Sequence, residues 1–386
     1  MTIKPFEIAI PDAALTDLRE RLERTRWPAE IGDNSNWQQG ANLAYMRELT
    51  NYWLNTYDWR GREAEMNKLP QFMADIDGVP IHFVHAKGKG PNPMPLIINH
   101  GWPWTFWDMR RIIGPLSDPA AYGGDPEDSF DVVCPSIPGF AFSSPLTTDL
   151  RLNRVGDYYV KLMDELGYDK FGTQGGDMGS AISTLLGYTH PDRLTGVHLH
   201  LLIPFLGGNP QPEDFEEHEF AGGAKMADYY ATGSGYMQIQ RTKPMTIAYA
   251  MTDSPVGQAA WMVEKRRDWG DTGGDIESVW SKDELIDNVM LYWLTETYLS
   301  SARHYFSPPG DESIALGKVP DKTPIIDVPT AVQQFKGDVW NLPRKWADRV
   351  YNVQSWKVEE KGGHFAPAEV PDTIVGDLRE FFRRFR

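Results

Sequence analysis

The sequence predicts an α/β protein: a mostly parallel central sheet with helices on both faces, a helical cap inserted late in the sheet, and an N-terminal helical meander. Three observations predict it. Short, near-continuous apolar runs alternate with longer helical stretches between residues 96 and 202, as expected of strands buried on both faces and joined by crossovers. That rhythm breaks after Pro204 and returns at Thr330, which suggests an insertion over the strands' carboxyl ends. The first 70 residues carry apolar stripes at helical spacing that an isolated helix could not bury.

Each element follows from local pattern. Pro11 and Asp12 open a helix on which Leu15, Leu18 and Leu22 share a face, and Trp27-Pro28 closes it. After a polar loop over 34–40, Leu43, Met46, Leu49 and Trp53 mark a second helix. Residues 72–76 and 81–84, joined by Asp77-Gly78, form a hairpin. Strands are expected at 96–99, 130–134, 170–173 and 194–202, then at 330–335 and 353–358. Between them the cap has no convincing strand, and Leu285, Val289, Tyr292, Trp293 and Glu296 mark one of its helices. An amphipathic helix over 372–385 ends the chain. The expected division is an extension at 1–70, a core in two parts at 71–204 and 316–386, and a cap at 205–315.

Composition narrows the partners. With 38 basic against 54 acidic side chains the formal charge is −16, so nucleic acid and anionic membrane surfaces are disfavoured. The single cysteine, Cys134, excludes an intramolecular disulfide and a cysteine-held zinc. Residues 1–7 lack the basic start and apolar core of a signal peptide, and no stretch approaches the ~18 apolar residues of a bilayer span. A soluble, cytoplasmic chain is expected.

Three motifs sit at strand ends. Gly175-Gly176-Asp177-Met178-Gly179 follows a strand and precedes a helix starting near Ser180. Such glycines allow the sharp turn that presents the middle side chain, here Asp177, as a nucleophile above the sheet. Taken alone, it could equally be a Gly-rich loop with an Asp capping the helix. His100-Gly101-Trp102-Pro103 follows the strand at 96–99. In the α/β-hydrolase layout this loop gives one backbone N–H of an oxyanion hole, from Trp102, and Met178 gives the other. Gly362-Gly363-His364-Phe365 follows the last strand and places His364 where that layout puts the base. An acid should precede it after the strand at 330–335, and Asp338 of Gly337-Asp338 is best placed, although a solvated loop Asp would look the same.

An aspartate in the elbow constrains the reaction. A serine alkoxide attacking an alkyl carbon would leave an ether that water and His could not hydrolyse. A carboxylate leaves an ester, whose carbonyl activated water can attack over the oxyanion hole. The elbow therefore points to displacement at sp³ carbon, by epoxide opening or dehalogenation, rather than ester or amide hydrolysis. A departing halide needs N–H donors, whereas an epoxide oxygen leaves as an alkoxide and needs an acid such as a phenol. The chain has 16 tyrosines, and the cap segments 235–240 and 301–306 contribute candidates among them.

With these stretches, the chain resembles the microsomal-type epoxide hydrolases over nearly its whole length. The resemblance rests on Thr25-Arg26-Trp27-Pro28, the His100 to Pro103 loop, the elbow, residues 235–244, Asp253-Ser254-Pro255-Val256-Gly257, residues 288–293 and the His364 loop. It implies Asp177 as nucleophile, His364 as base and Asp338 as its orienting acid. Tyr236 and Tyr305 match the family's two lid tyrosines, which bind and protonate the epoxide oxygen. Trp102, Pro103 and Met178 are the residues expected to contact substrate. Met178 departs from the Trp of many relatives, which bears on pocket shape. The absent N-terminal anchor of the animal enzymes suggests a soluble member.

The expected partners are an apolar or aryl epoxide, suggested by 14 Trp and 17 Phe, and water, with a homodimer allowed. A haloalkane dehalogenase with the same Asp nucleophile is an alternative, as is a non-catalytic small-molecule binder on this fold. A metal hydrolase could be drawn from His198-Leu199-His200, but no third and fourth ligand follows at suitable spacing. No metal or cofactor is expected.

Overall fold

The structure, a computed structural model, describes residues 3–204, 206–307 and 321–386. The expected cap boundaries at 205 and 315–316, and the Met1-Thr2 start of the leader reading, lie outside the described residues. Among the described residues one nine-stranded sheet runs in the order β1-β2-β3-β5-β4-β6-β7-β8-β9. The strands are β1 (Lys4–Pro5), β2 (Gln71–Ile76), β3 (Val79–Ala86), β4 (Met94–Asn99), β5 (Phe130–Pro135), β6 (Phe171–Gly175), β7 (Leu194–Leu199), β8 (Ile326–Phe335) and β9 (Tyr351–Glu359). The first three and the β3–β5 junction pair antiparallel, and all pairs from β5 to β9 are parallel.

The central strands are apolar because both of their faces are covered. Every residue of β5 and β6 is buried, as are Leu96 to Asn99 of β4. β4 lies between β5 and β6, with Leu96 beside Val132 on one side and Gly172 on the other. Strand order reverses there, and the carboxyl ends of β4 and β6 open onto a crevice suited to a site.

Local differences from the sequence reading have physical causes. β7 stops at Leu199, not 202, because its neighbour β6 ends at Gly175, opposite Leu199, where the elbow begins. β8 starts at Ile326, before the expected 330, across a register shift against β9. The two-residue β1 is held by Met73 and Phe72 of β2 and has no periodicity of its own. A third helix, Trp59–Met66, completes those of the extension, Asp12–Glu23 and Leu43–Asn55. The cap helix Lys282–Trp293 ends before Glu296, which has φ 54°.

The extension packs on the helices that lie between β7 and β8. Tyr52 donates to Asp283 at 3.0 Å and Tyr57 to Asp287 at 2.9 Å. Leu18, Leu22, Met46, Leu49 and Trp53 are buried, so the stripes that could not be covered alone are covered by neighbours. No helix among the described residues is long and apolar enough to cross a membrane.

Candidate active site

The site begins at the turn from β6 into the helix Met178–Thr189. Asp177 caps that helix with φ 50° and ψ −128°, a strained conformation for a residue with a side chain. The chain can turn this tightly because its flanking glycines allow close approach. A Cβ on Gly179 would lie 2.2 Å from the Asn99 carbonyl oxygen, and one on Gly176 would lie 1.9 Å from His200 Nε2.

The turn brings the Asp177 carboxylate under the loop after β4. The Trp102 N–H donates to Asp177 Oδ1 at 2.7 Å. The other oxygen, Oδ2, lies 3.3 Å from His364 Nε2. That separation is long for a hydrogen bond, and among the described residues Nε2 has no other partner. His364 Nδ1–H donates to Asp338 Oδ1 at 2.8 Å. Asp338 follows β8 and His364 follows β9, so adjacent strand ends deliver both residues. Burial disfavours charge on His364, but Asp338 and Asp177 outweigh it and push the imidazole up to about 10.

Aromatic side chains enclose this line of groups. Trp269 packs edge-on to His364 at 5.0 Å, and its carbonyl accepts the His364 N–H at 2.9 Å. Glu369 braces the same loop by accepting from the Phe365 and Asp271 N–H groups, both at 2.8 Å, and burial pushes its carboxyl up to about 7. Tyr236 stacks on Trp102 at 5.0 Å and meets Tyr305 edge-on at 5.8 Å. Burial holds both phenols well above their ordinary range.

A cavity of about 310 Å³ contains Asp177, His364, Tyr236 and Tyr305 in its lining, together with apolar residues that include Leu185, Ile203, Met237 and Trp340. The structure thus brings the five expected catalytic residues together. Of the three residues expected to contact substrate, only Met178 lines the cavity. Trp102 is fully buried with its ring against Tyr236. The Pro103 carbonyl accepts from Asn288 at 2.8 Å and Arg266 at 3.2 Å, which anchors the loop to the cap. His198 and His200 turn to different partners, Asp377 and Gln174, each at 2.9 Å.

Sequence reasoning missed Tyr229, Trp269 and the cavity-lining His304. The Tyr229 and Tyr236 hydroxyls are hydrogen-bonded at 2.9 Å, and their spacing of seven residues, two helical turns, could have flagged the pair. Trp269 carried no such signal. It ends the helix Pro255–Trp269 and meets His364 only through the tertiary fold.

A parallel sheet with a strand–elbow–helix turn at its centre, a His–Asp pair at its last two strand ends and helices above is an α/β-hydrolase fold. Residues 94–232 match the family model described as alpha/beta hydrolase fold, and residues 3–109 match that described as epoxide hydrolase N terminus. The chain is 41% identical over its whole length to 86% of a Stigmatella aurantiaca protein with an inferred epoxide hydrolase name. It is 36% identical to epoxide hydrolase 1 of Sus scrofa, over 98% of this chain and 88% of that protein. The solved Aspergillus niger epoxide hydrolase superposes with a TM-score of 0.87 at 27% identity, covering 100% of this chain and 97% of that one. The chain belongs to the epoxide hydrolase family.

Proposed function

We propose that the protein converts an apolar or aryl epoxide to a vicinal diol through an alkyl ester on Asp177. The observation that carries this reading is the division of the Asp177 carboxylate. Oδ1 is held by the Trp102 amide, while Oδ2 faces His364 in the cavity that both phenols line. Oδ2 attacks an epoxide carbon, the C–O bond breaks, and the leaving oxygen takes a proton from Tyr236 or Tyr305. Esterification removes one of the two anions beside His364, so its pKa falls, the proton it sheds restores the tyrosine phenolate to a phenol, and the neutral imidazole becomes a useful base. His364, oriented by Asp338, then takes a proton from water as that water attacks the ester carbonyl. Charge developing on Oδ1 is held by the Trp102 and Met178 N–H groups. As the intermediate collapses, its bond to the substrate oxygen breaks, that oxygen takes the proton of the added hydroxyl, and the diol leaves with the Asp177 carboxylate restored.

The apolar cavity lining favours a bulky apolar or aryl group on the substrate. The same reading carries the expectations of a cytoplasmic location and a homodimer, to be checked by cell fractionation and sedimentation equilibrium. The covalent route is tested by a single turnover in ¹⁸O-water with enzyme in excess. The first diol should be unlabelled, with label entering Asp177, because water attacks the ester carbonyl. Label in the first-turnover diol would mean direct attack of water on the epoxide.

A further inference from the structure

Lys265 lies in the cap helix Pro255–Trp269 and is only 6% exposed, although a lysine can usually extend its ammonium into water. Its Nζ is instead 5.1 Å from the centroid of the Tyr236 ring, 5.7 Å from that of Trp269 and 5.8 Å from that of Trp261. Its carboxylate partner is the adjacent Glu264. Burying an ammonium is costly unless the surroundings compensate, and aromatic faces with a counter-ion do so in part. The caged rings are not incidental to the site: Trp269 packs on His364, and Tyr236 is a lid phenol.

We propose that Lys265 is a positioning residue for epoxide opening, making Tyr236 rather than Tyr305 the phenol that gives up its proton. The inference rests on the reading above and acts through Tyr236, since Lys265 does not line the cavity. As the epoxide C–O bond breaks, its electron pair goes to the departing oxygen, which takes the Tyr236 proton. The pair of the broken O–H bond remains on Tyr236 as a phenolate. That anion forms in a buried position, and burial is what disfavours it most. Among the described residues Lys265 is the cation over this ring. The Tyr229 hydroxyl, 2.9 Å away, can also donate to the phenolate. Among the described residues no cation lies over the Tyr305 ring.

The test separates the two half-reactions by rapid quench with styrene oxide, following ester formation and ester hydrolysis in turn. Lys265→Met should slow ester formation roughly tenfold, as expected for a desolvated cation–π contact, and leave ester hydrolysis within about twofold. Lys265→Arg should restore most of the loss, and Lys265→Gln, which keeps a polar end for Glu264, should behave like Lys265→Met. Adding Lys265→Met to Tyr236→Phe should cost nothing further. Equal slowing of both half-reactions without rescue by Arg would show a merely structural role and overturn the proposal. So would an additional loss in the double variant. If Tyr236→Phe alone left ester formation intact, the phenol's role would fall and the lysine's with it. A slow Tyr236→Phe beside an unaffected Lys265→Met would overturn the lysine's role alone.

Discussion

Asp177 and Asp338 flank one imidazole, and their combined field pushes the His364 pKa up to about 10 despite its burial. A folded-state pKa above the unfolded value of ~6.5 stabilises the fold fully below that value, and the contribution is lost as pH rises towards 10. Replacing Asp338 by Asn removes one anion and should lower the His364 pKa by more than about one unit. Imidazole NMR resonances followed from pH 6 to 11 would show this, and an unshifted titration would contradict the arrangement. The glycines of the elbow made the candidate nucleophile legible in the sequence, because a tight turn needs them at fixed offsets. Tyr229 was legible only through its seven-residue spacing from Tyr236, and Trp269 not at all. Their roles come from contacts with Tyr236 and His364 that only the folded chain creates.

The loop after β4 shows how elements hold the site in place. The helix Lys282–Trp293 reaches it twice, through Asn288 to the Pro103 carbonyl and through the Tyr292 hydroxyl to the Trp104 carbonyl, both at 2.8 Å. Arg266 of the neighbouring helix pairs with Asp108 at 2.7 Å. These contacts fix the Trp102 amide that holds Asp177 Oδ1. Tyr292→Phe would leave the buried Trp104 carbonyl without this donor, at a cost of about 1–3 kcal/mol. On the proposed route ester hydrolysis loads charge on Oδ1, so it should slow several-fold and more than ester formation does. Rapid-quench rates would check this, and equal rates for wild type and variant would argue that the loop holds itself. The strands around this loop were readable because burial on both faces gives them unbroken apolar runs. Their ends were less readable: the limit of β7 is set by where β6 turns into the elbow, not by any residue of β7.

At the scale of the whole molecule, three parts of the chain converge on Asp287, whose side chain is fully buried. Tyr57 and the Arg62 guanidinium reach it from the extension, with Arg62 Nε 2.9 and 3.0 Å from its two oxygens. The Trp107 indole N–H reaches it at 2.9 Å from the segment that continues the Trp102 loop. Asp287 itself belongs to the cap helix that anchors that loop. The apolar stripes of the first 70 residues indicated that they must cover something larger, but not that a buried carboxylate would fasten them there. A buried carboxylate is tolerated only while its partners remain, so Arg62→Ala should cost roughly 3–5 kcal/mol. Because the extension, cap and core loop share this anchor, the loss should appear as a lower denaturation midpoint in one cooperative transition. Urea titration followed by tryptophan fluorescence and circular dichroism would read both. Coincident curves shifted to lower urea are expected. An early separate transition, with the remainder as stable as wild type, would mean that the extension is an independent unit and that Asp287 does not couple it to the site.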